Sequence, residues 1–178
     1  LKAWSYKDHG KSLAKVKSKD EQNGFSWLHD SFGTNLRMTE MQAAMGRVAL
    51  LRLARWVEQR RSLASQLAER FSGMESLRLT LPGPDVFHSY YRFYTFLRAE
   101  RLKPGWSRDR VVQCIRAEGV PCGVGSCGEI YLEKAFVERF GCSARLPAAK
   151  LLGETSLCFL VHPTMGSAEI DDAAAAVE

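Results

Sequence analysis

The fold of this chain is decided by Gly33-Thr34-Asn35-Leu36-Arg37-Met38-Thr39-Glu40-Met41-Gln42-Ala43-Ala44-Met45-Gly46, where an irregular segment gives way to a long helix. Thr39 can cap the helix through its hydroxyl, and Gln42 can accept the Thr39 amide in return, which is a capping box. Asn35 and Arg37 stand just before the cap, where free backbone amides and the helix dipole favour an anion. The stretch predicts either an anion-binding helix entrance or an ordinary helix start with a surface arginine.

The apolar pattern after this stretch predicts helices that alternate with short strands. A helix over residues 39–71 follows from apolar side chains at three- and four-residue steps, with a bend or break near residues 53–56 and its arginines on the solvated side. Four strands are predicted, over residues 77–81, 91–97, 120–122 and 155–161. Four more helices are predicted, over residues 107–118 with Ser107 as N-cap, 131–140, 147–152, and from Ser167, as N-cap, to residue 178. Because residues 1–32 show neither period, we expect an irregular lead followed by an α/β sandwich.

Composition is that of an ordinary globular protein. The chain has 178 residues, of which 46% are hydrophobic and 25% charged, enough for one domain or for part of a larger protein. No apolar run approaches the length of a membrane span, and the N-terminus lacks a signal peptide, so we expect no membrane partner. The chain opens on Leu1 without an initiator methionine, so we expect a fragment or a processed product.

Positive charge is concentrated at the N-terminus. The net charge is +5, and six lysines fall within the first nineteen residues, at Lys2, Lys7, Lys11, Lys15, Lys17 and Lys19. Such a cluster is either a solvated, mobile loop or a contact for phosphates. Because the segment lacks interleaved stacking aromatics, we expect no nucleic-acid partner.

The five cysteines indicate a reducing environment. An odd number cannot complete a disulfide framework, and no CxxC pair is present. The sequence therefore predicts reduced thiols, a cytoplasmic location and no metal site.

Three segments that contain histidine are further candidates for functional sites. Asp8-His9 and His29-Asp30 each put a carboxylate beside an imidazole, which indicates either a general base or local turn hydrogen bonds. His88 stands just before the strand predicted over residues 91–97, where it is either structural or functional.

Together these pieces resemble a known family. Ser31 to Gly46 is similar to the G-x-N-x-R-x-x-E-x-Q-A-A-x-G signature of the DegT-type, perosamine-synthase-like sugar aminotransferases, pyridoxal-phosphate enzymes that aminate keto groups on nucleotide-linked sugars. The likeness extends, in the right order and over nearly the whole chain, to His9-Gly10, Trp56 with Arg60-Arg61, the run from His88 to Phe93, and the run from Leu160 to Met165.

The resemblance implies a fold and a site. The fold is the C-terminal part of an aspartate-aminotransferase-like pyridoxal-phosphate transferase, with residues 1–38 as the tail of the large cofactor-binding domain and residues 39–178 as the connecting helix and small domain. By similarity, the protein is a homodimer with a shared active site. Asn35 would reach the cofactor phosphate of the neighbouring subunit, and Arg37 and His88 would bind the sugar nucleotide.

The resemblance also implies that this chain carries no catalytic residue. In the family, the lysine that forms the Schiff base with the cofactor lies upstream of the His-Gly matched to His9-Gly10, and the aspartate that holds the pyridine nitrogen lies further upstream. We therefore expect the chain to be inactive alone.

One segment departs from the family pattern. Many members carry a G-V-H-Y-P-like segment where this chain has Gly123-Val124-Gly125-Ser126-Cys127-Gly128, so the sugar-facing His and Tyr are missing. This difference suggests another sugar or acceptor, with Cys127 either lining the substrate site or forming a plain buried thiol.

These points predict the C-terminal part of an aminotransferase that aminates a keto-sugar nucleotide for polysaccharide or antibiotic sugar synthesis. The amino donor would be glutamate or glutamine. The alternative is a non-catalytic binding or regulatory module derived from the same fold.

Overall fold

The structure, a computed structural model, describes residues 1–18, 27–125, 127–141 and 144–178. The chain divides into a first unit, Leu1–Arg52, and a second unit, Leu53–Glu178. Lys19, Ser126 and Cys142, the last of which is one of the five cysteines, lie outside the described residues. Among the described helices, none combines the length and the apolar character that a membrane span requires.

The first unit contains two short helices that the sequence did not predict. These are α1, Lys2–Lys7, and α2, Leu13–Lys17. The prediction of an irregular lead over residues 1–32 was wrong for these two segments. Each helix has fewer than two turns, which is too short for an apolar repeat to emerge from the sequence.

Two glycines allow two segments of the first unit, around residues 10 and 33, to lie in close contact. A Cβ atom on Gly33 would lie 2.4 Å from the backbone nitrogen of Gly10, and one on Gly10, whose φ is +86°, would lie 1.7 Å from the carbonyl oxygen of Ser31. Only glycine fits at either position. This close approach lets Asp8 pair with Asn35 in an antiparallel bridge.

The long helix begins as the sequence predicts. Helix α3 runs over Glu40–Phe71. The backbone N–H of Thr39 donates to Gln42 Oε1 at 3.0 Å, and the N–H of Gln42 donates to Thr39 Oγ1 at 3.3 Å, which confirms the capping box. The helix is uninterrupted, so of the bend or break expected near residues 53–56 the break was wrong; Leu53-Ala54-Arg55-Trp56 contains neither proline nor glycine to cause one.

The second unit is built on a four-stranded antiparallel sheet. The strands are β1 (Leu77–Leu79), β2 (Phe93–Leu97), β3 (Cys122–Gly123) and β4 (Ser156–Phe159), in the order β1-β2-β4-β3. Phe93 on β2 lies opposite Phe159 on β4. All four predicted strands are confirmed, with ends that differ by up to two residues from those predicted.

Helices α4 to α7 follow the predicted order. They run over Arg108–Ala117, Lys134–Phe140, Pro147–Thr155 and Ser167–Ala175. Short 3₁₀ turns lie at Ala99–Arg101 and Ile130–Leu132. Ser107 caps α4 as predicted, since its Oγ accepts the N–H of Arg110.

The cap predicted for the last helix was wrong. Gly166, and not Ser167, is the N-cap of α7, and its N–H donates to the Glu169 carboxylate at 2.8 Å. The Ser167 hydroxyl instead donates to Gln66 Oε1 on α3 at 2.8 Å, a contact that sequence spacing cannot reveal.

The core lies in the second unit, between one face of the sheet and helices α3, α4 and α7. Three phenylalanine rings form its centre. Phe71 packs edge-to-face on Phe159 at 5.1 Å and on Phe93 at 6.1 Å between ring centroids, and each of the three is 1% exposed. Burial of these rings, with Leu67 and Ile170 around them, anchors α3 to the sheet.

Candidate functional site

Asn35 presents an outward amide donor at the entrance of α3. Its side-chain Oδ1 accepts the backbone N–H of Arg37 at 3.2 Å, which fixes the orientation of the amide. The Nδ2 group is exposed and makes no hydrogen bond within the described residues. A neutral N–H donor held in this way suits an oxygen of a phosphate or carboxylate.

Arg37 is held by a carboxylate that lies 29 residues earlier. Its Nη2 donates to Asp8 Oδ1 at 2.5 Å, and Lys11 Nζ lies 3.4 Å from the same oxygen. Burial acts to raise the pKa of Asp8, but the hydrogen bond from Lys11 and the charge of Arg37 outweigh it and lower the pKa below its ordinary value. The Asp8 carboxylate therefore stays ionised and keeps the guanidinium in place.

The balance of charge around Asp8 favours an added anion. Two cations, Arg37 and Lys11, share one carboxylate, and the Arg37 side chain remains 48% exposed. Its unused N–H donors and the Asn35 amide stand two residues apart at the helix entrance. This donor set fits a phosphate group.

The two carboxylate–imidazole doublets are not general-base pairs. Asp8 bonds Arg37 and Lys11, and Asp30 pairs with Lys15, whose hydrogen bond lowers the pKa of Asp30. Within the described residues, neither carboxylate bonds the imidazole beside it. Both carboxylates instead pair with lysine or arginine side chains, which neither a general base nor local turn hydrogen bonds had predicted.

His88 lies in the second unit, in the loop that connects β1 and β2. Its Nδ1 accepts the backbone N–H of Tyr90 at 3.1 Å, and its ring packs edge-to-face on the Tyr90 ring, 4.3 Å away. Since Nδ1 is the acceptor, the neutral ring carries its proton on Nε2. The exposed side chain thus offers a donor at Nε2.

Two arginines on α3 hold this loop. Arg61 Nη1 donates to the carbonyl of His88 at 2.9 Å, and Arg60 Nη1 donates to the carbonyls of Tyr90 and Tyr91 at 3.2 and 3.1 Å. Both side chains are partly buried, so the prediction that they face solvent was wrong. The sequence shows adjacent arginines on a long helix, within a stretch that shares the family resemblance, and neither signal reveals which carbonyls they bind.

The structure places the predicted site residues in two groups. Asn35 and Arg37 belong to the first unit, together with Asp8, which sequence reasoning did not connect to them. His88 belongs to the second unit, with Arg60 and Arg61.

The glycine-rich segment after β3 packs closely on its surroundings. A Cβ on Gly125, whose φ is +85°, would lie 3.0 Å from the Tyr94 ring, and one on Gly128 would lie 2.9 Å from the Cα of Gly153. Cys127 is exposed, with its Sγ 3.4 Å from Glu133 Oε1, so the prediction of a plain buried thiol was wrong. The chain turns at Gly128, directly after Cys127, and glycine is typical of turns at the surface.

A polar network fixes the chain beyond this segment. The Glu129 carboxylate binds the guanidinium of Arg145 and accepts the Tyr131 hydroxyl at 2.7 Å. The hydrogen bond from Arg145, and then that from Tyr131, lower the pKa of Glu129 to about 2. Arg145 also bonds Glu154 at 3.0 Å, and the Tyr131 oxygen accepts the N–H of Leu146.

Comparison with known proteins agrees with this architecture. The model of the DegT/DnrJ/EryC1/StrS aminotransferase family matches residues 2–178. A crystal structure of an aminotransferase from Psychrobacter cryohalolentis is 44% identical, covers 99% of this chain and 47% of its own, and superposes with a TM-score of 0.91.

Two more distant relatives extend the comparison. The dTDP-3-amino-3,4,6-trideoxy-alpha-D-glucose transaminase of Streptomyces venezuelae is 27% identical over 137 residues, which are 77% of this chain and 34% of that enzyme. An E. coli GDP-4-keto-6-deoxy-D-mannose-3-dehydratase with bound hydrated PLP is 20% identical over 99% of this chain and 46% of its own, with a TM-score of 0.81, which shows the fold alone.

The chain spans about half the length of the solved relatives described here. The predicted fold, part of a pyridoxal-phosphate transferase, is confirmed by these structures, and the predicted cofactor is confirmed as that of the family. With its signature at the entrance of α3 and a family match over residues 2–178, this chain belongs to the DegT/DnrJ/EryC1/StrS aminotransferase family.

Proposed function

We propose that this chain is the C-terminal part of a pyridoxal-phosphate aminotransferase that aminates a keto-sugar nucleotide, with glutamate or glutamine as amino donor. The observation that carries the proposal is the entrance of α3, where the outward Asn35 amide and the anchored Arg37 guanidinium form a phosphate-compatible donor set. Family membership and the sugar transaminase from S. venezuelae support the substrate class. The aminated sugar would enter polysaccharide or antibiotic sugar synthesis.

The proposal includes a division of the chain between two domains. Residues 1–38 would be the tail of the large cofactor-binding domain, and residues 39–178 the connecting helix and small domain. Exposed apolar side chains support this division, because Phe32 is 100% and Leu51 88% exposed, and burial of such groups is favourable. The rest of the large domain and a second subunit would cover them in a homodimer.

Each proposed site residue has one task. Asn35 Nδ2 would donate to the cofactor phosphate of the neighbouring subunit, Arg37 would pair with an anionic group of the sugar nucleotide, and His88 Nε2 would donate to one of its oxygens. Pyridoxal phosphate, when bound, supplies the electron sink that amino transfer requires. The residues of this chain bind and orient the reactants.

The lysine that bonds the cofactor would lie outside this chain. Lys11 and Lys15 are engaged with Asp8 and Asp30. Treatment of the 178-residue chain with pyridoxal phosphate and borohydride, followed by peptide mass analysis, should label surface lysines in a scattered, sub-stoichiometric way. A single stoichiometric adduct on Lys7 or Lys11 would contradict the proposal.

The same labelling separates enzyme from binding module in the full-length protein. One stoichiometric adduct upstream of Leu1 is expected for an aminotransferase. If the full-length protein gives no such adduct and transfers no amino group to keto-sugar nucleotides, the non-catalytic alternative is favoured.

The role of Asn35 can be tested through cofactor affinity. In the full-length protein, Asn35→Ala should raise the cofactor concentration for half-saturation about ten- to a hundredfold, the effect of one lost hydrogen bond to a charged group. Absorbance of the bound cofactor measures it. Gln113→Ala, which removes an exposed amide from α4, is the control and should leave the affinity unchanged.

A further inference from the structure

The loop that carries His88 is held more firmly than its exposure suggests. Arg61 donates to the His88 carbonyl at 2.9 Å, and its guanidinium lies 4.3 Å from the centre of the Phe87 ring. Arg60 bonds the two carbonyls that follow, those of Tyr90 and Tyr91. Three carbonyls of the loop and the Phe87 ring are therefore tied to two adjacent arginines of α3.

Tyr90 adopts an unusual backbone conformation. Its φ is +49°, in the left-handed region that residues other than glycine, asparagine and aspartate rarely enter. Its ring stacks on the buried Phe93 at 6.3 Å with an interplanar angle of 16°, and Arg60 holds its carbonyl. These two contacts keep Tyr90 in a conformation that it would otherwise leave.

The left-handed turn at Tyr90 determines the chemistry of the histidine ring. It directs the Tyr90 N–H at His88 Nδ1, 3.1 Å away, while the Tyr90 ring packs against the imidazole. An N–H aimed at Nδ1 excludes a proton there, so the neutral ring carries it on Nε2. A histidine in a mobile loop would exchange between both tautomers and several rotamers.

We propose that Arg60 and Arg61 are positioning residues that fix His88 as the Nε2–H tautomer, so that it presents a hydrogen-bond donor to an oxygen of the substrate. The identity of that substrate, a sugar nucleotide, rests on the proposed function. We call Arg60 and Arg61, with the loop carbonyls that they bind, the clamp. Its existence depends only on residues of this chain. Neither arginine touches the substrate, and both act through the loop.

The tautomer can be read directly in the full-length protein with isotope-labelled histidine. Nitrogen chemical shifts should show a pyrrole-like Nε2 and a pyridine-like Nδ1 for the His88 signal, which His88→Gln identifies by its loss. Arg61→Ala should convert the signal to an average of both tautomers, and Arg61→Lys, which keeps a donor for the carbonyl, should restore most of the Nε2–H form. A wild-type signal from the Nδ1–H form, or one unchanged in Arg61→Ala, would overturn the proposal.

A matched control exists on α4. Arg110 also combines a carbonyl, that of Gly105 at 3.2 Å, with a ring, that of Trp106 at 4.6 Å. Arg110→Ala should leave the His88 signal unchanged, although it should lower the free energy of unfolding about as much as Arg61→Ala does. If Arg110→Ala shifts the His88 tautomer as much as Arg61→Ala does, the effect is general loosening and the clamp is refuted.

Kinetics separate the clamp from the proposed function. With a sugar nucleotide that the protein aminates, Arg61→Ala should raise KM about tenfold with a smaller change in kcat, and Arg61→Lys should recover most of it. If Arg61→Ala changes the tautomer of His88 but leaves KM unchanged, the clamp has no role in substrate binding. If no sugar nucleotide is aminated, the proposed function fails, and the nitrogen shifts still decide whether the clamp exists.

Discussion

The two units of this chain are ordered by different forces. The second unit buries a continuous set of apolar side chains, centred on Phe71, Phe93 and Phe159. In the first unit, the only buried residues among those described are Asp8 and Gly10, one charged and one without a side chain. Of the residues that the structure describes, a helix of 32 residues therefore begins in a unit without buried apolar side chains and ends in one with a continuous apolar core.

The proposed binding groups divide along the same line. Asn35 and Arg37 depend on one carboxylate, one backbone turn and a glycine contact, because no apolar cluster supports them among the described residues of their unit. His88, by contrast, is tied through Tyr90 to the buried Phe93. We therefore expect substitutions to act locally in the first unit and cooperatively in the second.

The two units should differ most in the free energy of unfolding that is lost when one phenylalanine in each is replaced by alanine. Phe71→Ala removes a ring that is 1% exposed, and the loss of burial and the resulting cavity should cost about 3–5 kcal/mol of the free energy of unfolding. Phe32→Ala removes a fully exposed ring and should change it by less than about 0.5 kcal/mol. Urea unfolding of the 178-residue chain measures both, and similar values for the two variants would break the comparison.

A smaller difference is expected from the two helix caps. Ser107→Ala removes the hydroxyl that accepts the Arg110 N–H in the second unit and should cost about 1 kcal/mol of its cooperative unfolding. Thr39→Ala removes the equivalent acceptor for Gln42, but should only increase the hydrogen exchange of the first turns of α3. A full cooperative loss in Thr39→Ala would show that the units unfold together.

The sequence predicted these caps because their signals are local. A hydroxyl three residues before a backbone N–H is visible in the sequence, as is the apolar repeat of α3. The contacts that orient the candidate site are not local: Arg37 binds Asp8 29 residues away, and Arg61 binds His88 27 residues away. The signature therefore points to Asn35 and Arg37 as candidates, whereas the sequence alone pairs Asp8 with His9 and places Arg60 and Arg61 in solvent.

A smaller effect is expected from Glu129, whose contribution to the stability of the second unit should depend on pH. The pKa of Glu129 falls from 4.5 to about 2 in the folded chain, because Arg145 and Tyr131 bond its ionised form. A lowered pKa means that this contribution to stability is complete above pH 4.5 and is lost as the pH falls toward 2. Glu129→Gln should flatten the decline of the urea midpoint over that range.

Tyr131→Phe provides an intermediate variant, since it removes only the weaker of the two bonds. Its acid curve should lie between those of the wild type and Glu129→Gln. Identical acid curves for all three proteins would show that the network around Arg145 does not contribute to stability.

The smallest effect on the unfolding of the chain is expected for a substitution at Asp8 in the first unit. Its pKa is also lowered, so its contribution is present above pH 3.8 and is lost as the pH falls below that value. Asp8→Asn should free the Arg37 guanidinium and speed hydrogen exchange at Thr34 and Leu36, whose N–H groups donate to the carbonyls of Tyr6 and Lys7, without changing the cooperative unfolding of the second unit. Slow, unchanged exchange at these amides would show that the carboxylate does not hold this segment.

The paired glycines have a consequence for protein engineering. Beyond the contact of Gly10 with Gly33, Lys11 pairs with His29, and the N–H of Ser12 donates to the Leu28 carbonyl at 2.7 Å, so that residues 10–12 and 28–33 form one narrow neck. Since doubling the length of a closed loop costs only about 0.6 kcal/mol, residues added after Ser18 should leave the neck intact. This position is therefore suited to an inserted tag or reporter that must not displace the entrance of α3.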